Sequence, residues 1–219
     1  MTDETADASA KKTKPFDVTN RMVVAIAVPM TLAFISTPLL GIIDTGVVGQ
    51  LGDPALLGGL AVGAILFDVV FSTFNFLRSS TTGLVAQAVG AGDEEQQRII
   101  AIRSLLIALV GGLLVLLLSP LLLTIGIAVM RIPDAVAEAT ASYFAIRILA
   151  APFTLLNYSI LGGLLGQARA GTGLLLQTVL NGANIILSLY LGLHLQWGLT
   201  GVAWATVAAE AIATVLGLY

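Results

Sequence analysis

Ala27–Gly52 reads AVPMTLAFISTPLLGIIDTGVVGQLG, and only one of its side chains, Asp44, carries a charge. The apolar run begins near Arg21 and continues past Asp44. That is enough chain for a helix to cross a bilayer, which takes about 20 apolar residues. Similar runs recur along all 219 residues, of which 57% are hydrophobic and 11% charged. Mean hydropathy is +0.97. A soluble domain of this length needs charge spread over its surface, whereas here the charges gather in a few short clusters. The chain therefore reads as an all-α polytopic membrane protein, because helices satisfy their own backbone groups in lipid.

Six spans follow from the pattern. They run from Arg21 to beyond Asp44, from Pro54 to about Gly90, over Ile99–Met130, Asp134–Leu165 and Thr172–Leu193, and from Gly198 to the end. In GDPALL, Asp53 is placed to cap a helix with Pro54 at its first position. AGDEEQQ puts Asp93 before acidic residues in a first turn, and RIPDAVAE repeats this around Pro133 and Asp134. Residues 1–20, MTDETADASAKKTKPFDVTN, are polar and mixed in charge and read as a disordered tail. Residues 21–219 read as one six-helix transmembrane lobe. The first span is too long for a signal-peptide core and lacks a small-residue cleavage site, so it reads as a retained anchor.

Lys11, Lys12, Lys14 and Arg21 precede the first span, Arg98 and Arg103 follow the second, and Arg169 follows the fourth. Arg131 alone falls on the other side. The positive-inside rule then puts both the N-terminus and the end of the sixth span in the cytoplasm, with the chain multi-pass in the inner (plasma) membrane. The chain has no cysteine and one histidine, which excludes disulfides, Cys-based metal sites and His-rich ones. It has no phosphate loop, nucleophile elbow or HExxH motif. An enzyme, a cofactor, a bound metal and a nucleic-acid partner are accordingly not expected.

Asp44, Asp68, Arg78, Arg147 and Glu210 fall within spans. Each costs roughly 2.5–3.5 kcal/mol if it meets lipid at mid-depth. At the helical rise, Arg78 lies about 36 Å from its helix start, where a long side chain reaches the inner surface. Asp68 and Arg147 lie about 21 and about 20 Å from outer ends, so an ion pair and a functional role are both open. Asp44 lies roughly 12 Å below an outer end near Gly52, and Ser188 roughly 13 Å below one near Trp197, with Asn184 deeper.

Polar residues also line up at helical spacing: Gln177, Asn181, Asn184 and Ser188; Asp68, Ser72, Asn75 and Ser79; Thr37, Gly41 and Asp44; Thr206, Glu210 and Thr214. Any one stripe can be explained by hydroxyls bonding back to their own helix or by amides joining neighbouring helices. Several stripes together with several acids are better explained by a polar interior cavity. Pro29 and Pro152 each remove an intrahelical bond and predict kinks. Gly59/Gly63 and Gly162/Gly166 predict close helix packing.

The segments AVPMTLAFISTPLLGIIDTGVVGQLG, FLRSSTTGLVAQAVGAGD, FAIRILAAPFTLLNYSILGGLLGQARA and NGANIILSLYLGLHLQWGLTGVAWATVAAE resemble the first half of a MATE (multidrug and toxic compound extrusion) transporter, most closely its DinF branch. The resemblance implies one six-helix lobe of a twelve-helix fold. It also implies exchange of H⁺ or Na⁺ for small organic, often cationic, drugs or metabolites. Asp44 holds the position of an acid central to cation coupling in that branch. Asn184 and Ser188 hold the companion positions on the fifth helix, and Pro29 matches a proline linked to bending. Where the family often has a second acid, this chain has Ser188. Thr37, Gln177, Asn181, Asp68, Arg147 and Glu210 are the expected cavity wall.

The chain stops in an apolar helix at TVLGLY, so a second six-helix lobe is expected from a missing C-terminal half or a partner chain. Two other readings stand beside this one: a lipid-linked sugar flippase of the same superfamily, and a non-transporting six-helix membrane module.

Overall fold

The computed structural model describes residues 19–219, and among them every regular element is helical. The helices are α1 (Asn20–Gly49), α2 (Pro54–Ser72), α3 (Asn75–Ala91), α4 (Glu94–Leu117), α5 (Ser119–Met130), α6 (Asp134–Arg147), α7 (Ala151–Gly166), α8 (Ala170–Leu187) and α9 (Gly198–Gly217). A 3₁₀ turn, Ile148–Ala150, joins α6 to α7, and a π-helical segment, Ser188–His194, extends α8. Residues 1–18 of the expected tail, and the side chain of Thr37, lie outside the described residues.

Five helical runs are long and apolar enough to cross a membrane: Pro54–Ala91, Glu94–Leu117, Asp134–Gly166, Ala170–His194 and Gly198–Gly217. The first helix, α1, adds a rod of 30 residues, about 45 Å long at the helical rise. Its apolar stretches, Val23–Leu32 and Pro38–Gly49, flank a middle that carries Ser36, Thr37 and, next to them, Pro38. The bundle thus has the six rods the sequence predicts, but the third is divided. Helix α4 stops at Leu117, and α5 restarts with Pro120 in its first turn, where the missing N–H costs nothing.

The predicted caps at Asp53 and Asp93 form as local hydrogen bonds. Oδ1 of Asp53 accepts from the Ala55 N–H at 2.8 Å, and Oδ1 of Asp93 accepts from the Gln96 N–H at 2.8 Å. Helix α6 also begins at Asp134, though without a side-chain cap bond. Pro152 is accommodated by the 3₁₀ turn just before it, so the kink predicted for the fourth rod becomes a change of helix type.

Glycines set how closely the rods approach one another. A Cβ on Gly59 would stand 2.6 Å from Ala139 Cβ and 2.9 Å from its carbonyl carbon; on Gly63 it would stand 2.5 Å from the Tyr143 ring. Gly162 and Gly166 lie against the Arg78 and Thr82 carbonyls, where an added Cβ would be 2.7 Å from each oxygen. Helix α2 therefore packs along α6, and α3 along α7, with the backbones nearly touching. A core of Phe67, Phe71, Tyr143, Phe144, Leu155 and Val202 fills the middle of the bundle. Many large apolar side chains face outward, including Leu106, Val110, Leu117 and Val129, as lipid contact requires.

Candidate functional site

Two polar groupings lie inside the bundle. The first joins α1, the start of the π-helical segment, α8 and α9. Asp44 comes from the second-last turn of α1, where Val47 and Val48 just beyond it are buried and anchor the helix against its neighbours. Ser188 is the residue at which α8 turns π-helical, and its hydroxyl donates to Oδ1 of Asp44 at 2.8 Å. The Ser188 hydroxyl oxygen also lies 3.3 Å from Oδ1 of Asn184, one turn earlier. Nδ2 of Asn184 donates to Oγ1 of Thr206 on α9 at 3.0 Å, and the Thr206 hydroxyl donates back to the Val202 carbonyl at 3.2 Å. Asn184 and Ser188 are fully buried and Asp44 is partly so. The π-helical segment can lie this close because Gly192 meets Val47 and Gly201 meets the Leu191 backbone with no side chain between them.

The second grouping lines a cavity of about 610 Å³. Its wall holds Asp68, Arg147, Gln177, Asn181 and Glu210 from the predicted set, along with Asn184 and Thr206. Asp44 and Ser188 are not on this wall and stand one layer behind it, joined to it through Asn184 and Thr206. Gln177 donates to Oδ1 of Asn181 at 3.0 Å, which orders that stripe along α8.

Asp68 and Arg147, for which an ion pair and a functional role were both open, share the cavity without forming an ion pair with each other. The Arg147 guanidinium lies 5.0 Å from the Phe67 ring centroid and 5.9 Å from that of Phe71. Its Nη1 is buried and makes no hydrogen bond. Phe67 is itself stacked on Phe144 at 4.8 Å, so a fixed aromatic shelf carries the cation. Arg78, predicted to reach the inner surface, also lines the cavity and lies 5.7 Å from the Tyr158 ring centroid.

Sequence reading missed Asn157. From α7 its amide donates to Oε2 of Glu210 at 2.7 Å and to the Glu210 carbonyl at 3.0 Å, while its Oδ1 accepts from the Thr214 hydroxyl at 3.2 Å. The available signal was a lone amide in the apolar run TLLNYSILGG, five residues before the glycine pair Gly162 and Gly163 that ends it. Pro38, a second proline inside α1, was also missed and borders the cavity.

The oxygens of Asp44, Ser188, Asn184 and Thr206 make a hard, oxygen-only donor set, suited to a proton or an alkali cation and not to a soft metal. Among the described residues no group of three or more His, Cys, Asp or Glu comes together to hold a metal ion.

Sequence comparison gives this arrangement its relatives. The family model MatE matches residues 29–190, a stretch that contains Asp44, Asn184 and Ser188. The chain belongs to the MatE family. It is 39% identical over 193 residues to DNA damage-inducible protein F of Escherichia coli K12, covering 88% of this chain and 42% of that protein. It is 30% identical over 198 residues to a probable multidrug resistance protein NorM of Burkholderia mallei, covering 89% of this chain and 40% of that one. It is 33% identical over 190 residues to protein DETOXIFICATION 47, chloroplastic, of Arabidopsis thaliana, covering 82% and 33%. Among solved structures, an outward-facing multidrug resistance MATE transporter matches with TM-score 0.84 at 22% identity, over 91% of this chain and 44% of that one. At that identity the likeness shows the fold. The chain thus spans less than half the length of these MatE relatives and corresponds to the N-terminal, six-helix half of the MATE fold, DinF branch.

Proposed function

We propose that this chain is the N-terminal lobe of a secondary antiporter that exports small organic, often cationic, drugs or metabolites in exchange for H⁺ or Na⁺. Asp44 is the coupling residue, and the observation that carries this reading is the 2.8 Å bond from Ser188 to Asp44, continued through Asn184 to Thr206 on the cavity wall. The lobe sits in the inner membrane with its N-terminus cytoplasmic, and a second six-helix lobe completes the transport path.

The Ser188 hydroxyl has a single proton and two carbonyl-type acceptors within reach. When Asp44 is charged, that proton belongs to Asp44, since a charge-assisted bond is the stronger of the two. When Asp44 takes up a proton, it becomes the donor and the Ser188 hydroxyl turns to Asn184. The protonation state of α1 is thereby passed to α8 and α9, and from there to the wall that meets cargo. If Na⁺ is the coupling ion, the same oxygens supply its ligands. Pro29 and Pro38 leave α1 with weakened backbone bonding, which lets the helix bend with this exchange.

The flippase reading gains from Arg78 and Arg147 on the cavity wall. Asp68 and Glu210 balance them, so the wall is mixed and not basic, which favours export of organic cations and zwitterions. The test is drug-driven H⁺ or Na⁺ flux in proteoliposomes with both lobes present. Asp44→Asn should abolish coupled flux, and intact coupled flux in that variant would sink the mechanism. A wild-type protein that moves neither ion nor drug would favour the non-transporting module.

A further inference from the structure

Glu210 is 8% exposed, halfway along α9 and far from either helix end. Its place in the structure asks for an acceptor: Asn157 donates one N–H to Oε2 and the other to the Glu210 carbonyl. A glutamine at this position would accept the same bond without the cost of burying an ionisable group. The clamp between α7 and α9 therefore accounts for an oxygen here but not for a carboxyl.

Three features indicate what the carboxyl does. It lines the 610 Å³ cavity, so water can deliver and remove a proton. It lies one turn from Thr206 on the same face of α9, and Thr206 is the end of the hydrogen-bonded chain that starts at Asp44. And Ser188, bonded to Asp44, cannot hold a charge. The surrounding groups fit a titrating acid. Arg147 of α6, Arg78 of α3 and Asp68 of α2 share the cavity with it. Tyr158 comes from α7, α8 contributes the neutral Asn181 and Asn184, and Asp44 of α1 lies beyond them.

We infer that Glu210, held by Asn157 and Thr214, is a second proton-binding site of this lobe, placed on α9 and coupled to Asp44 through Ser188, Asn184 and Thr206. In the step, the Glu210 O–H breaks and its proton goes to cavity water. The carboxylate keeps the Asn157 N–H, and uptake is the reverse. The inference extends the proposed coupling at Asp44, and its test separates the two.

The full chain in lipid nanodiscs is titrated between acid and alkaline buffer, and the protonated-carboxyl C=O stretch is followed by infrared difference spectroscopy. An Asp68→Asn background, which removes the other acid of the cavity wall, should show two buried-carboxyl bands. Glu210→Gln should delete one band and Asp44→Asn the other, and Glu210→Asp should shift the first band without deleting it. A Glu210→Gln spectrum that keeps both bands overturns the second site. If Glu210→Gln does not fold, an unshifted spectrum in Glu210→Asp overturns it instead. An unchanged Asp44→Asn spectrum overturns the reading of Asp44 while leaving Glu210 in place.

Discussion

The Ser188 hydroxyl donates to Oδ1 of Asp44 at 2.8 Å, across 144 residues of chain, and holds α1 to the point where α8 becomes π-helical. Ser188→Ala removes the donor and leaves a partly buried carboxylate one bond short, a loss of about 1–3 kcal/mol. Proton-driven export in proteoliposomes should fall in Ser188→Ala and be largely kept in Ser188→Thr, which retains a hydroxyl.

Ser188→Asp places a second carboxylate within hydrogen-bonding distance of Asp44. The two groups titrate as a coupled pair with two proton-binding steps, one more than Asp44 has alone. The number of ions exchanged per drug molecule should rise over wild type, as measured from the drug gradient balanced by a set ion gradient. An unchanged ratio would show that the exchange is counted elsewhere.

Asp44 stands behind the cavity wall and not on it. Asp44→Asn should therefore uncouple transport while the protein still binds cargo, and ligand binding by calorimetry should stay close to wild type. Loss of binding in step with loss of flux would place Asp44 in direct contact with cargo.

Arg147 is carried on the Phe67 and Phe71 rings, with one buried nitrogen unpaired. A planar guanidinium suits that shelf better than an ammonium. Arg147→Lys should lower the thermal unfolding midpoint in detergent by an amount matching about 0.5–2 kcal/mol. Phe67→Leu should make the Arg147→Lys change nearly neutral, which a double-mutant cycle reads directly.

Gly59 leaves 2.9 Å between a would-be Cβ and the Ala139 carbonyl carbon, a backbone atom that cannot swing away. Gly59→Ala should destabilise the lobe by about 1–3 kcal/mol, seen as a lower unfolding midpoint. Gly83→Ala, with open space around its position, should be neutral or slightly stabilising.

What the sequence revealed and what it hid divides by the range of the interactions. The Asp53 and Asp93 caps were legible because each bond closes within three residues. Depth along a helix is also local arithmetic, and it brought Asp44 level with Ser188 before any contact was known. The Asn157–Glu210 clamp spans 53 residues and depends on how α7 meets α9, which no spacing within either helix encodes. The place of Arg78 beside the Tyr158 ring was hidden for a related reason, since it depends on how α3, restarting after a break at Thr73–Phe74, meets α7. The π-helical segment was hidden too, and the close approach at Gly192 and Gly201 that accompanies it joins two different elements. The roles assigned to Asp44, Asn184 and Ser188 rest on family resemblance joined to this geometry, and the variants above are what decide them.

The π-helical segment from Ser188 to His194 has one more consequence. Its i→i+5 bonding takes up an additional residue within continuous helix, without opening a loop. The fifth rod is therefore longer in sequence than in space, and its phase changes just past the residue that touches Asp44. Every side chain beyond Ser188 is angularly offset from where an uninterrupted α-helix would put it. Deleting one residue between Leu189 and Leu193 would restore the α phase and turn His194 to a different side of the bundle, while Gln177 to Asn184 kept their places. The rod thus has two independently indexed halves, one lining the cavity and one packed chiefly on α9.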